Sequence, residues 1–273
     1  MTAGAIFGVF VHTFKVTIRS KWLLLFTVVF FFFAFNIPFL SLQLLNLVPR
    51  NSNAFVQIVI NTSFNLMPLL ALPVGAVSIV EERESGALQY MLSTPISRGR
   101  FLVAKAAGLF AATSGIIVLG FTLAALVAFQ MSPASISLWF VTGAACLLNA
   151  AMIGISLVVS VLARKRLTAH GAAIFIWFLF TYAGSTAVTA PVLAAANQYP
   201  ILLPWIFLNP IEVARLVAVM QFPVGVQDLG STGEALLYVF HGGALLVLWV
   251  TMAVWIALTM LAAFFIFVFQ DVR

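Results

Sequence analysis

Long uncharged runs set the pattern of this chain. No Asp, Glu, Lys or Arg lies between Lys21 and Arg50, Arg50 and Glu81, Lys105 and Arg164, Arg166 and Glu212, or Glu234 and Asp271. A bilayer core about 30 Å thick is crossed by roughly 20 consecutive apolar residues, so each run is long enough for at least one transmembrane helix. The third run is too long for one crossing and is broken at Gln130, Met131, Ser132 and Pro133, so it holds two. The fourth holds one helix and then meets the breaker-rich Asn197, Gln198, Tyr199 and Pro200. The predicted spans are residues 22–44, 56–80, 106–129, 138–162, 169–194 and 236–268. The first run is long and lacks a small-residue cleavage pattern after a short core, so it is read as a helix and not as a secretory signal. The expectation is an all-α polytopic membrane protein with six transmembrane helices, residues 1–273 forming one membrane unit.

Basic residues orient the spans, because short loops rich in Lys and Arg stay in the cytoplasm. With the N-terminus inside, the inner set is Lys15, Arg19, Lys21, Arg83, Arg98, Arg100, Lys105, Arg164, Lys165, Arg166 and Arg273, against Arg50 and Arg215 outside. Both termini are thus expected in the cytoplasm, and the membrane is expected to be the plasma membrane. Composition agrees: 63% of residues are hydrophobic and 7% charged, so water is not the main solvent. The net charge of +6 reads as a topology and lipid-headgroup signal. No basic domain stands outside the membrane, which excludes nucleic acid as a partner.

Three segments outside the spans are patterned. Ahead of the first span, Ile6, Val9, Phe10, Phe14 and Ile18 recur at helical spacing, with His12, Lys15 and Arg19 on the other face. This predicts an amphipathic interfacial helix, its apolar side among acyl chains and its basic side on anionic lipid. The inner loop, EERESGALQYMLSTPISRGRFLVAK over residues 81–105, is too patterned for a simple turn. The second span is expected to continue through Glu81, Glu82 and Glu84 to Leu92, with Leu88, Met91 and Leu92 on one side. Thr94 would cap a new helix begun by Pro95, leaving the acidic cluster facing the cytoplasm beside Arg98 and Arg100. The result is a bent rod suited to passing force, or else an ordinary surface-bound loop. In the outer segment, Asn209 is expected to cap a helix begun by Pro210. Glu212 would complete a reciprocal cap, and Arg215 would pair with it as a local stabiliser or an outer-partner site. This apolar, proline-broken stretch is expected to be re-entrant.

The chemistry-bearing residues are sparse. No Gly-x-x-x-x-Gly-Lys-Ser/Thr loop is present, so the chain has no ATPase site of its own and is not read as an enzyme. His12, His170 and His241 lie in separate segments and Cys146 is the only cysteine, so neither a metal site nor an intrachain disulfide is expected. No Asp, Glu, Lys or Arg falls inside the predicted spans, which weighs against an ion-coupled carrier. Polar residues there, including Asn149, are expected to join helices by hydrogen bonds. Asn61 and Asn65 share a helix face and, with Ser185, Thr186 and Thr189, could line a pathway or a dimer seam, or only pack.

The stretch EERESGALQYMLSTPISRGR resembles the loop of ABC-2-type transporter permeases, with Gly86, Leu88, Pro95 and Arg98 matching and Ala87 where threonine is usual. Within that family, LARKRLTAHGAAIFIWFLF and LLPWIFLNPIEVARLVAV resemble the permease subunits associated with nitrous oxide reductase maturation. The resemblance implies a cytosolic ABC ATPase dimer that binds ATP and Mg, and a second permease copy in a homodimer. It also implies a periplasmic accessory protein and a role in building a copper-sulfur centre. It makes residues 81–98 the ATPase-coupling loop, with Glu81, Glu82 and Glu84 seated in the ATPase. A secondary carrier and a non-transporting scaffold or sensor remain the alternatives.

Overall fold

The computed structural model describes residues 2–44, 52–92, 96–131, 137–183, 204, 206–221 and 239–269. These residues are helical almost throughout, as an apolar chain in lipid must be, because a helix satisfies its backbone groups internally. Helix α1 (Thr2–Ile18) is followed by α2 (Lys21–Leu44), α3 (Ser52–Leu66), α4 (Pro68–Glu84) and the short α5 (Ala87–Leu92). Then come α6 (Arg98–Met131), α7 (Ser137–Leu162), α8 (Arg166–Phe178), α9 (Pro210–Val219) and α10 (Ala244–Phe269). A π-helical turn, Leu179–Ala183, extends α8, and a 3₁₀ turn, His241–Gly243, precedes α10.

Among the described residues, four helices are long and apolar enough to cross a membrane: Gln57–Glu84, Arg98–Leu126, Trp139–Leu162 and Ala244–Phe269. Gly4–Ile18 and Lys21–Ala34 form a further candidate, bent by 58°. Much of the span predicted at 169–194 lies outside the described residues, so these helices make a multi-pass membrane protein without fixing the number at six. In the second span Pro68 has no N–H to give the carbonyl of Phe64, but Met67 keeps helical angles and the helix carries on. α4 ends where Gly86 adopts φ +74°, a conformation open to glycine and costly for other residues. The second span therefore does not run on as one helix to Leu92, as the sequence suggested: it breaks at Ser85 and Gly86, and α5 follows. Pro95 and Thr94 lie outside the described residues, the backbone at Ile96 and Ser97 is not helical, and α6 starts at Arg98. The first intrahelical bond runs from Phe101 N–H to the carbonyl of Ser97, which makes Ser97 the boundary residue.

α7 occupies the centre, packed against α4, α6, α9 and α10, and Leu148, Ala151, Met152, Ile153 and Leu157 are wholly buried. Small residues allow the close approaches. Gly75 on α4 faces Ser156, and Gly154 on α7 faces Thr259 on α10. Asn149 ties α7 to α6 by donating to Thr113 Oγ1 at 2.8 Å and Ser114 Oγ at 2.9 Å. Large apolar side chains such as Leu24, Val28 and Phe32 on α2, and Leu246, Val250 and Leu258 on α10, face outward. That distribution suits lipid contact.

α1 packs on the bundle through a face that the sequence, which set its apolar side among acyl chains, did not single out. It lies along α6, with Thr13 and Thr17 buried, while Ile18 is exposed and Phe10 and Phe14 are only partly covered. The reason is Gly108 on α6. A Cβ placed there would come within 2.8 Å of the Phe10 carbonyl, 2.9 Å of Thr13 Cβ and 3.2 Å of the Phe14 nitrogen. Gly108→Leu is therefore expected to lift α1 from α6 with little effect on the α7-centred core. Limited proteolysis checks it: cleavage within residues 2–18 should rise at least several-fold over wild type.

Candidate functional site

The last turn of α4 points four consecutive charged residues in different directions, as a 100° step per residue requires. Glu82 turns inward and meets Lys105 of α6, Nζ to Oε1 2.6 Å, with both side chains buried. The Lys105 ammonium also lies 5.6 Å from the Phe101 ring centroid. Glu81 and Glu84, three residues apart and so on one side of α4, converge on Arg166 at the start of α8. Arg166 Nη1 is 2.9 Å from Glu81 Oε1, and its Nε is 2.8 Å from Glu84 Oε2. The Arg166 backbone N–H donates to Glu84 Oε1 at 3.1 Å. Lys165, at the N-cap of α8, has no side-chain cap bond, so the Glu84 carboxylate from another helix satisfies an open donor at the positive end of the α8 dipole.

Arg83 faces the third neighbour. Its guanidinium donates to the carbonyls of Val161 (3.3 and 3.2 Å) and Ala163 (3.1 Å), occupying open acceptors at the end of α7. One turn earlier, the Ser160 hydroxyl oxygen accepts from Ile79 N–H at 2.9 Å. The end of α4 is thus bonded to α6, α7 and α8 at once. A cavity of about 260 Å³ opens beside this junction, lined by His12, Thr13, Ser78, Glu82, Lys105 and His170 among others.

The sequence placed the acidic cluster on the cytoplasmic surface beside Arg98 and Arg100, but its partners are Lys105 and Arg166. Glu82 in particular is buried and turned into the bundle. Arg98 instead donates to the carbonyl of Val268 at 3.2 Å, near the end of α10. Leu88 is wholly buried against the core, whereas Gly86 breaks a helix that the sequence expected to run on to Leu92. Sequence reasoning used Arg83, Lys105 and Arg166 only as topology markers. The one available clue was that these cations border the same inner loops as the glutamates.

A second polar cluster lies around α9. Asn209 caps this helix, its Oδ1 accepting from Ile211 N–H at 3.0 Å, while its Nδ2 donates to the Phe180 carbonyl at 2.8 Å in the π turn after α8. The expected reciprocal cap from Glu212 is not made. Asn209 N–H bonds to the Ile206 carbonyl, and the buried Glu212 carboxylate pairs with Arg215. Arg215 Nη1 also donates to Asn61 Oδ1 at 3.4 Å. Asn61 of α3 thus joins Glu212 and Arg215 of α9, two groups that the sequence kept apart. Asn65 contributes its backbone carbonyl, which accepts from Trp177 Nε1 at 2.8 Å. Pro210 is buried as the first residue of α9. Ser185, Thr186 and Thr189 lie outside the described residues. Among the described residues no group of three His, Cys, Asp or Glu is placed to hold a metal ion.

A family profile described as "ABC-2 family transporter protein" matches residues 8–272. The chain is 27% identical over 264 residues to a "Probable ABC transporter permease protein NosY" from Stutzerimonas stutzeri, covering 92% of this chain and 93% of that protein. It is 30% identical over 227 residues to a protein of the same name from Pseudomonas aeruginosa, covering 78% of this chain and 82% of that one.

Proposed function

The chain belongs to the ABC-2 family of transporter proteins, and from that premise we propose that it is a permease subunit moved by a separate cytosolic ATPase that binds ATP and Mg. In this reading two copies pair, each crosses the plasma membrane six times, and both termini and the α4–α5 bend lie in the cytoplasm. The observation that carries it is the fourfold junction at the end of α4. A motor pressing on α5 acts on a helix bonded to α6 by Glu82 and Lys105, to α7 by Arg83, and to α8 by Arg166. Such a junction transmits displacement to several helices together. The ATPase must also bind the two states of the permease with unequal affinity, since coupling is that difference.

The glutamates take a double role here. Glu82 is an internal strut, while the partly exposed Glu81 and Glu84 hold Arg166 and leave open edges for the ATPase. The polar cluster of Asn61, Glu212 and Arg215 is assigned to the outer side, where it braces α9 as the re-entrant element against the second span. The narrower reading is a part in building the copper-sulfur centre of nitrous oxide reductase, with a periplasmic accessory protein. The resemblance of residues 162–180 and 202–219 and the names of the relatives support it.

Co-expression with a cognate ATPase tests the proposal. The permease should co-purify with the ATPase, and ATP turnover should respond to the permease. Arg166→Gln should keep the complex together while lowering that response roughly fivefold or more, the scale of an ordinary coupling free energy. Transport by the chain alone under an ion gradient, with no ATPase bound, would contradict the reading.

A further inference from the structure

A cleft of about 650 Å³ lies where the start of α6, the end of α10 and the first turns of α1 meet, away from the glutamate junction. Its walls include Ile6, Val103, Phe264 and Val268, and its rim carries Arg98 and Arg100. The cleft is within the size range of sites for small molecules. Val103 is 63% exposed while Ile6, Phe264 and Val268 are half-buried, so the apolar wall opens at Val103. None of the carboxylates among the described residues lines it.

We propose that this cleft binds one anionic phospholipid, an acyl chain lying against Val103, Phe264, Val268 and Ile6 and the phosphate meeting Arg98 and Arg100. Depth and charge both select this occupant. α6 has 34 residues, about 51 Å of helix at 1.5 Å per residue, and so overhangs a hydrocarbon core of about 30 Å. The first turn of α6 therefore stands at headgroup level, with Val103 just beyond it at the edge of the acyl region. An apolar wall beneath two guanidinium groups matches a lipid with a negative head, and guanidinium is well suited to phosphate oxygens. Arg98 is held in place by its bond to the Val268 carbonyl, and Arg100 is exposed. The inference rests on the membrane reading of the chain and is independent of any cargo or motor.

The full chain, reconstituted in nanodiscs containing equal amounts of phosphatidylglycerol and phosphatidylcholine, is extracted into mild detergent, and retained lipid is counted by native mass spectrometry. Each arginine near an anionic head contributes roughly fivefold in affinity, so phosphatidylglycerol should be retained roughly thirtyfold over phosphatidylcholine. Arg100→Gln should reduce that preference roughly fivefold. Val103→Trp, which fills the cleft without touching its charge, should lower retention while the gel-filtration profile stays unchanged. Equal retention of the two lipids overturns the proposal, as does phosphatidylglycerol retention unaffected by both substitutions. So does a result in which these substitutions reduce only ATPase or self-association, which would assign the cleft to a protein. Any of these results leaves ATPase co-purification, and hence the permease reading, standing on its own measurement.

Discussion

Lys105→Met should destabilise the folded chain by about 3–5 kcal/mol, because it strands the buried Glu82 carboxylate without its counter-charge. Lys105 is 2% exposed and meets Glu82 at 2.6 Å, so removing either group leaves the other largely out of water and without its counter-charge. The reciprocal change, Glu82→Leu, should do comparable harm by stranding the ammonium. The double variant Glu82→Leu/Lys105→Met replaces the pair with apolar groups of similar volume, and such replacements are often neutral in stability. Thermal unfolding in detergent, followed by tryptophan fluorescence, should rank the two single variants well below wild type and the double variant close to it. If the double variant falls as far as the singles, the pair is not what makes these positions sensitive. If it recovers stability but not ATPase response, the pair serves as a strut in the transport cycle as well as in the fold.

Gly154→Leu should be the most damaging substitution in the seam between α7 and α10. A Cβ at that position would stand 2.1 Å from Thr259 Oγ1, 2.7 Å from Thr259 Cβ and 3.2 Å from the Met260 nitrogen. Thr259 is itself held by its hydroxyl donating to the Trp255 carbonyl at 2.8 Å, so rotating it away breaks that bond and leaves the backbone contact in place. The helices must separate, at a cost of about 3 kcal/mol, the upper end of ordinary overpacking. Gly143, on the same helix, has open space around its Cβ position. Gly143→Leu therefore isolates the change in helix propensity, which favours Leu by roughly 0.5–1 kcal/mol. The expected result is a large loss of folded protein for Gly154→Leu and none for Gly143→Leu, measured as monodisperse yield and unfolding midpoint. Similar losses for both would show that the seam is not close-packed.

The long apolar runs were enough to place most of α2, α4, α6, α7 and α10, because length between charges is a local property and a bilayer imposes one scale on it. The cap at Asn209 was also readable, since it depends on one residue's own side-chain chemistry; the break at Gly86 was not, because the helical pattern runs on past it to Leu92. The partners of the glutamates were not. Glu84 and Arg166 are 82 positions apart, and no periodicity links a carboxylate to a cation on another helix. The packing of α1 on α6 was not legible for a related reason. The apolar stripe of α1 marks where lipid or protein could cover it, but the decisive contact is the bare surface of Gly108 on a different helix. α6 starts at Arg98, after non-helical backbone at Ile96 and Ser97, and the expected start at Pro95 lies outside the described residues.

The central claim is that the bend joining α4 to α5 is reached by a motor on the inner side of the membrane. Gln89 is exposed on α5 and suits a reporter cysteine, with Cys146→Ser removing the native thiol. A membrane-impermeant maleimide should leave Gln89→Cys unlabelled in right-side-out vesicles, label it once the vesicles are opened, and label it more slowly when the ATPase is bound. Labelling in sealed vesicles would put the bend on the outer surface, beyond the reach of a cytosolic ATPase, and would contradict the account.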